Sequence, residues 1–284
     1  MNEKINVFGT FDGMSGGQLA LNKNGIIYDY FASEVDPYAI KVTQTNFPKT
    51  IQLGDIVQIK ASDLPKIDLL LGGSPCQGFS FSGKMLNFND PRSKLFFEYA
   101  RLLNELQPKY FLLENVKMKK EYQDVISSYL GVEPIEIDSR LLSAQKRRRL
   151  YWTNIPDVTI PKDKKIYLKD ILLDRNDERL IIEIPTEARI NYIKRRAAKG
   201  WTKNKWNTID TEKAECLTAV CYKSMKEFVY EDEYGLRFFS CIEMERLQTV
   251  PDNYTNMVSK SQRLKMLGNG WTIDVIAHIL SFMK

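Results

Sequence analysis

The sequence predicts an α/β fold: a doubly wound, mostly parallel Rossmann-like sheet joined to a smaller second domain. Three observations lead there. Short apolar or β-branched runs alternate with helical patterns through the first half, the βαβ rhythm of a parallel sheet covered by helices. A glycine-rich turn follows the first run and opens a helical pattern, as at the ligand crevice of open sheets. Near Pro156 the rhythm stops, and the chain then carries more charge, irregular apolar spacing and interleaved aromatics (Trp201, Trp206, Tyr222, Phe228, Tyr230).

Residues 5–8 form the first expected strand, and residues 17–23 a helix ended by Gly25. Residues 26–33 read as a strand and 37–46 as a helix, with a short third strand candidate before Gly54-Asp55-Ile56. The continuous apolar run at 67–71 suits a strand buried on both faces. Asp90 and Pro91 supply an N-cap and a first-turn proline for a helix over 91–106. Strand 110–113, helix 119–130 and strand 134–137 follow. Helical periodicity returns at 271–282, which is expected to rejoin the first domain. The expected domains are 1–156 plus 260–284, and 157–259.

A chain of 284 residues, 43% of them hydrophobic, can bury a sizeable core and exceeds a typical single domain. No apolar run reaches the roughly 20 residues of a spanning helix, and the start lacks the apolar core of a signal peptide, so no membrane partner and a cytoplasmic location are expected. The 4 cysteines contain no C-x-x-C pair, which points away from a zinc ribbon, a disulfide framework or any metal site. His278 is the only histidine, so triads built on a histidine base and the zinc deaminase site are excluded. A net charge of +5 permits a polyanionic partner without requiring one.

Ser74-Pro75-Cys76-Gln77 lifts a cysteine off the end of a buried strand, where an attacking nucleophile would face a cleft; a small buried thiol is the alternative. The loop Phe11-Asp12-Gly13-Met14-Ser15-Gly16-Gly17 fits neither G-x-G-x-x-G nor the phosphate loop. Asp12 there either caps the helix or attracts a cationic group such as an ammonium. Glu34 ends the second strand, where a carboxylate accepts hydrogen bonds from ribose hydroxyls, and Asp55 could meet an adenine amino group. Acidic residues at successive strand ends beside a loop unfriendly to phosphate describe a pocket for an adenosine joined to a positive charge. S-adenosylmethionine has that character. Phe11, Gly13, Ser15, Gly17, Val35, Ile56 and Leu95 complete the expected cofactor lining in this part of the chain.

With Glu114-Asn115-Val116, Gln145-Lys146-Arg147-Arg148-Arg149, Arg246-Leu247-Gln248 and Gly268-Asn269-Gly270-Trp271 added in order, the chain resembles the cytosine-5 DNA methyltransferases nearly end to end. Trp271 and the stretch 143–156 look closer to the animal de novo branch than to many restriction-associated enzymes. Asp12 departs from the alanine common at its position. The resemblance implies a methyltransferase sheet with a target-recognition domain, and methyl transfer to carbon 5 of cytosine in double-stranded DNA. It implies Cys76 as nucleophile, Glu114 as the acid on the cytosine ring, and Arg147 with Arg149 near a base flipped from the helix. Asn269 and Trp271 would close on the cofactor. Gln77, Ser80 and Lys84 in the loop after Cys76, and Thr218, Lys223 and Ser224 in the recognition loop, would contact DNA. A cognate restriction nuclease is a possible companion. Cys216-Leu217-Thr218 is also similar to the Cys-Phe-Thr motif of the family's tRNA-methylating branch, which leaves tRNA as the alternative substrate. A catalytically silent relative would lack Cys76, Glu114 or the arginines, and all are present.

Overall fold

The computed structural model describes residues 4–74, 94–199, 206–224 and 228–284. The chain divides into two compact units, Met1–Asp138 with Arg148–Pro161 and Ile273–Lys284, and Ser139–Arg147 with Lys162–Thr272.

In the first unit β1 (Ile5–Thr10), α1 (Gly16–Lys23), β2 (Tyr28–Ser33), α2 (Pro37–Asn46), the short β3 (Ile51–Gln52) and β4 (Leu69–Gly72) are followed by α3 (Lys94–Leu106), β5 (Tyr110–Val116), α4 (Lys120–Leu130), β6 (Ile135–Asp138) and β7 (Arg148–Thr153). The strands form one sheet in the order β3-β2-β1-β4-β5-β7-β6. Pairing is parallel from β3 through β5, and β7 runs antiparallel to both β5 and β6. The mostly parallel, doubly wound sheet is therefore the fold that the sequence predicts. Strand order reverses beside β1, so the crevice outside its carboxyl end is where a ligand is expected. At that crevice Thr10 of β1 pairs with Gly72 of β4. A Cβ on Gly72 would lie 2.6 Å from both Thr10 Oγ1 and the Tyr99 ring, so only glycine permits this approach.

Local chemistry sets the helix ends. The Asp36 carboxylate accepts the Tyr38 N–H at 3.0 Å and Pro37 occupies the first turn of α2. Gly131 ends α4 in the left-handed region, at φ 72°. Packing supplies the rest: Leu69, Leu70 and Leu71 of β4 are fully buried, as is Trp152 of β7, whose indole N–H donates to Ser127 Oγ at 3.0 Å. The sequence reading contains no β7. Its two leading arginines hide the apolar run Leu150-Tyr151-Trp152, which is buried because β7 lies between two strands. The helix expected over 91–106 is α3 from Lys94 onward; Asp90 and Pro91 lie outside the described residues.

The second unit contains α5 (Glu187–Ala198), α6 (Cys221–Ser224), the hairpin of β8 (Val229–Asp232) and β9 (Gly235–Phe238), α7 (Cys241–Leu247) and α8 (Lys260–Asn269). Buried charges are paired here. Arg237 Nη2 meets Glu243 Oε1 at 2.8 Å, and Glu243 forms a capping box with Ser240 at the start of α7. The chain returns to the first unit as α9 (Ile273–Leu280), held to α1 by the Lys23–Asp274 ion pair and by Asn24 Nδ2 donating to Ala277 O. Among the described residues no helix is long and apolar enough to cross a membrane, and no group of three or more His, Cys, Asp or Glu could hold a metal ion.

Candidate active site

The loop between β1 and α1 is built around two carboxylates. Phe11, Gly13 and Ser15 take left-handed φ values of 52°, 57° and 62°, a conformation that non-glycine residues adopt only when their surroundings hold them. Asp12 and Glu34 do the holding. Ser15 Oγ donates to Asp12 Oδ2 at 2.6 Å and the Tyr30 hydroxyl to Asp12 Oδ1 at 2.7 Å. The Gly13 N–H donates to Glu34 Oε2 at 2.7 Å, while Glu34 Oε1 accepts the N–H groups of Val35 and Asp36, each at 2.8 Å. Burial pushes the Asp12 carboxyl from 3.8 up to about 7, opposed by the hydrogen bonds from Ser15 and Tyr30 and assisted by the charge of Glu34.

The other expected cofactor residues in this unit converge on the same end of the sheet. Ser33 Oγ donates to Gly54 O at 2.8 Å, tying the end of β2 to the turn that carries Asp55. Asp55 is exposed and its Oδ1 accepts the Val57 N–H at 3.1 Å, heading the 3-10 turn Ile56–Gln58. Ile56 is buried in the main apolar cluster, against which Phe11 and Leu95 also pack. Val35 is largely exposed and Gly17 buried. Carboxylates on neighbouring strand ends beside an apolar wall form a donor-poor, acceptor-rich set, suited to a ligand with hydroxyls, a flat ring and a positive charge.

At the end of β5 the structure brings Glu114 and Arg149 together. They lie on adjacent antiparallel strands, with Glu114 opposite Tyr151 and Val116 opposite Arg149. Glu114 is 8% exposed, and Arg149 Nε lies 2.9 Å from its Oε1. The next residue, Asn115, donates from Nδ2 to Ser74 Oγ at 3.1 Å and to Ser74 O at 3.4 Å. This tie fixes the exit of β4 two positions before Cys76. Cys76, Gln77, Ser80 and Lys84 themselves lie outside the described residues.

Arg147 has a different setting. It is 3% exposed, and its guanidinium donates to the carbonyls of Leu217 at 2.7 Å, Gly270 at 2.8 Å and Gly268 at 3.3 Å, and to Cys216 Sγ at 3.4 Å. Gln145 and Gln248 continue this buried network within the second unit: Gln145 Nε2 donates to Gln248 Oε1 at 2.7 Å, and Gln248 Nε2 to Leu267 O at 2.6 Å. Four motifs far apart in sequence thus meet in one network of satisfied polar groups. Sequence reasoning quoted both glutamines without giving them a role, and it missed Tyr30 altogether. Asn269 is exposed and Trp271 half-buried. Thr218 and Lys223 are exposed, with Lys223 Nζ 5.8 Å from the centre of the Tyr222 ring, and Ser224 ends α6.

Comparison with known proteins matches residues 5–130 and 135–284 to the family described as C-5 cytosine-specific DNA methylase. The Type II methyltransferase M1.ScrFI of Lactococcus lactis subsp. cremoris is 32% identical over 99% of this chain and 78% of its own length. The Type II methyltransferase M.HhaI of Haemophilus parahaemolyticus is 30% identical over 95% of this chain and 91% of its own. Among solved structures, the Entamoeba histolytica methyltransferase EhMeth superposes with a TM-score of 0.81 over 99% of this chain and 98% of that one, at 19% identity.

Proposed function

Because the chain belongs to the C-5 cytosine-specific DNA methylase family, whose enzymes methylate carbon 5 of cytosine, we propose that it uses S-adenosylmethionine, acts on double-stranded DNA and attacks a base turned out of the helix through Cys76. The observation that carries this reading is the pair of ties at the ends of β4 and β5. Asn115 fixes Ser74 beside the approach to Cys76, and Arg149 fixes the neighbouring Glu114. A nucleophile and an acid meant for one ring need such mutual positioning.

The residue types follow from the chemistry. Carbon 5 of cytosine becomes reactive once a thiolate adds at carbon 6, and a thiolate can add and later leave. Glu114 would contact the ring nitrogen and amino group and stabilise the charge passed to the ring, with Arg149 orienting its carboxyl. After carbon 5 is methylated, loss of its proton to a base and departure of the Cys76 sulfur restore the aromatic ring and the free thiolate. When bound, S-adenosylmethionine supplies a methyl group on a cationic sulfur. Glu34 would hold its ribose and Asp55 its adenine amino group, with the ring against Phe11, Ile56 and Leu95. Because a duplex conceals the ring atoms, the base must leave the stack, and Lys223 and Thr218 are candidates for holding the DNA while it does. The Cys216-Leu217-Thr218 motif supports a second reading, a tRNA substrate.

The test is covalent capture. Duplex DNA replicated with 5-fluorodeoxycytidine should become attached to the enzyme when cofactor is present, because fluorine cannot leave carbon 5 as a proton. Cys76→Ser should form no denaturation-resistant adduct, and Glu114→Gln should form it slowly while still binding DNA. Capture by Cys76→Ser would overturn the nucleophile assignment. Capture of fluorinated tRNA and not DNA would move the substrate to RNA.

A further inference from the structure

Tyr30 stands outside every motif, yet its surroundings are built for it. The side chain is 3% exposed on β2 and its hydroxyl donates to Asp12 Oδ1 at 2.7 Å. Space for the phenol exists only because two neighbours lack side chains: a Cβ on Gly9 would lie 2.3 Å from the Tyr30 hydroxyl oxygen, and one on Gly17 2.6 Å from it. The other Asp12 oxygen is held by Ser15 Oγ, and Ser15 is held in turn by Gln18 Nε2, which also donates to Thr50 Oγ1 at 2.7 Å. Asp12 is therefore gripped on both oxygens by a chain that runs from Tyr30 of β2 through the loop between β1 and α1 to Gln18 of α1 and Thr50. Such a grip fixes a carboxylate's direction and leaves further lone pairs on each oxygen for a ligand.

The charge around Asp12 is unbalanced. Ser15 and Tyr30 donate to it, Tyr28 couples to it, and the charged group acting on it is Glu34, a second carboxylate. A helix cap would not need this construction, and Asp12 makes no capping bond to α1, whose N-cap is Ser15. A cation brought by a ligand would supply the missing partner.

We propose that Tyr30 is a positioning residue, which through its hydrogen bond aims the Asp12 carboxylate at the ammonium of the amino acid end of the cofactor. This rests on the S-adenosylmethionine reading above. It assigns Gly9 and Gly17 a cause, since both make room for the phenol.

Calorimetric binding of two ligands to the full chain separates the possibilities. S-adenosylhomocysteine carries the ammonium, whereas 5′-methylthioadenosine keeps the nucleoside and lacks the amino acid end. Tyr30→Phe should weaken S-adenosylhomocysteine about 5- to 10-fold and leave 5′-methylthioadenosine within about 2-fold, the range of a lost charge-assisted hydrogen bond against none. Asp12→Ala should show the same selective loss, and adding Tyr30→Phe to it should change nothing more. Equal weakening of both ligands would show Tyr30 to be structural and overturn the proposal, as would no weakening of either. If the unaltered protein binds neither ligand, the cofactor reading itself fails and the proposal falls with it.

Discussion

Asp12 couples the loop between β1 and α1 to pH in the free protein. Its carboxyl sits near 7, raised by burial and by Glu34 against the hydrogen bonds from Ser15 and Tyr30, while Tyr28 is the other titratable group coupled to it. A carboxyl whose folded value exceeds its unfolded value of 3.8 retains a proton that the unfolded chain releases, so its contribution to stability is present below about 4 and is lost as pH rises through about 7. Urea titrations at pH 5 and 8 should show lower stability at the higher pH, and Asp12→Asn should flatten that difference; an unchanged difference would assign the slope to other groups. Arg149 acts on the opposite problem. Glu114 is nearly buried, and Arg149→Met would leave it without the cation 2.9 Å away. Unfolding should become easier by about 1–3 kcal/mol in denaturant, the range for a buried charged group deprived of a partner. Asp12 and Glu34 could be nominated from sequence because carboxylates at strand ends are conspicuous, and Glu114 because Glu114-Asn115-Val116 resembles a family motif. Tyr30 could not, because nothing in a strand of mixed aromatics says which ring meets a loop across the sheet.

At the scale of elements, the parallel strands announce themselves by unbroken apolar runs, and β7 does not. Its Arg148 and Arg149 serve the sheet edge and the Glu114 pair, and the apolar part is only Leu150-Tyr151-Trp152, too short to declare a period. The second unit's helices are hidden for a related reason: their buried faces carry charges, as at Glu243 and Glu245, that are paired only once the chain has folded. α8 ends in a similar dependence. A Cβ on Gly268 would lie 2.2 Å from Thr218 O and 2.6 Å from Ala219 N, so the glycine marks backbone packed on backbone. Gly268→Ala should force these segments apart, destabilise by about 1–3 kcal/mol and lower the thermal midpoint. A midpoint equal to that of the unaltered protein would mean that the segment 217–219 yields freely.

For the whole molecule the division of labour is between a unit that carries the sheet and a unit that carries the recognition-loop candidates. If Lys223 meets a phosphate, Lys223→Ala should weaken DNA binding across sequences and lower the salt dependence of affinity by about one ion. If it meets a base edge, the set of methylated cytosines should change instead, as read by sequencing DNA from expressing cells. Unaltered affinity and pattern together would remove Lys223 from the interface. The sequence by itself determined the fold class, the family and the order of the motifs, because parallel strands, strand-end carboxylates and glycine turns are local signals. Only tertiary structure decided what those motifs do to one another. It set Arg149 on Glu114 and Arg147 on the carbonyls of Leu217, Gly268 and Gly270, although the two arginines stand two positions apart. It also placed a tyrosine of β2 against Asp12 in the loop between β1 and α1. The physical reason is that a side chain's partner is fixed by which strands and turns become neighbours, and that is a property of long-range packing which no short window of sequence contains.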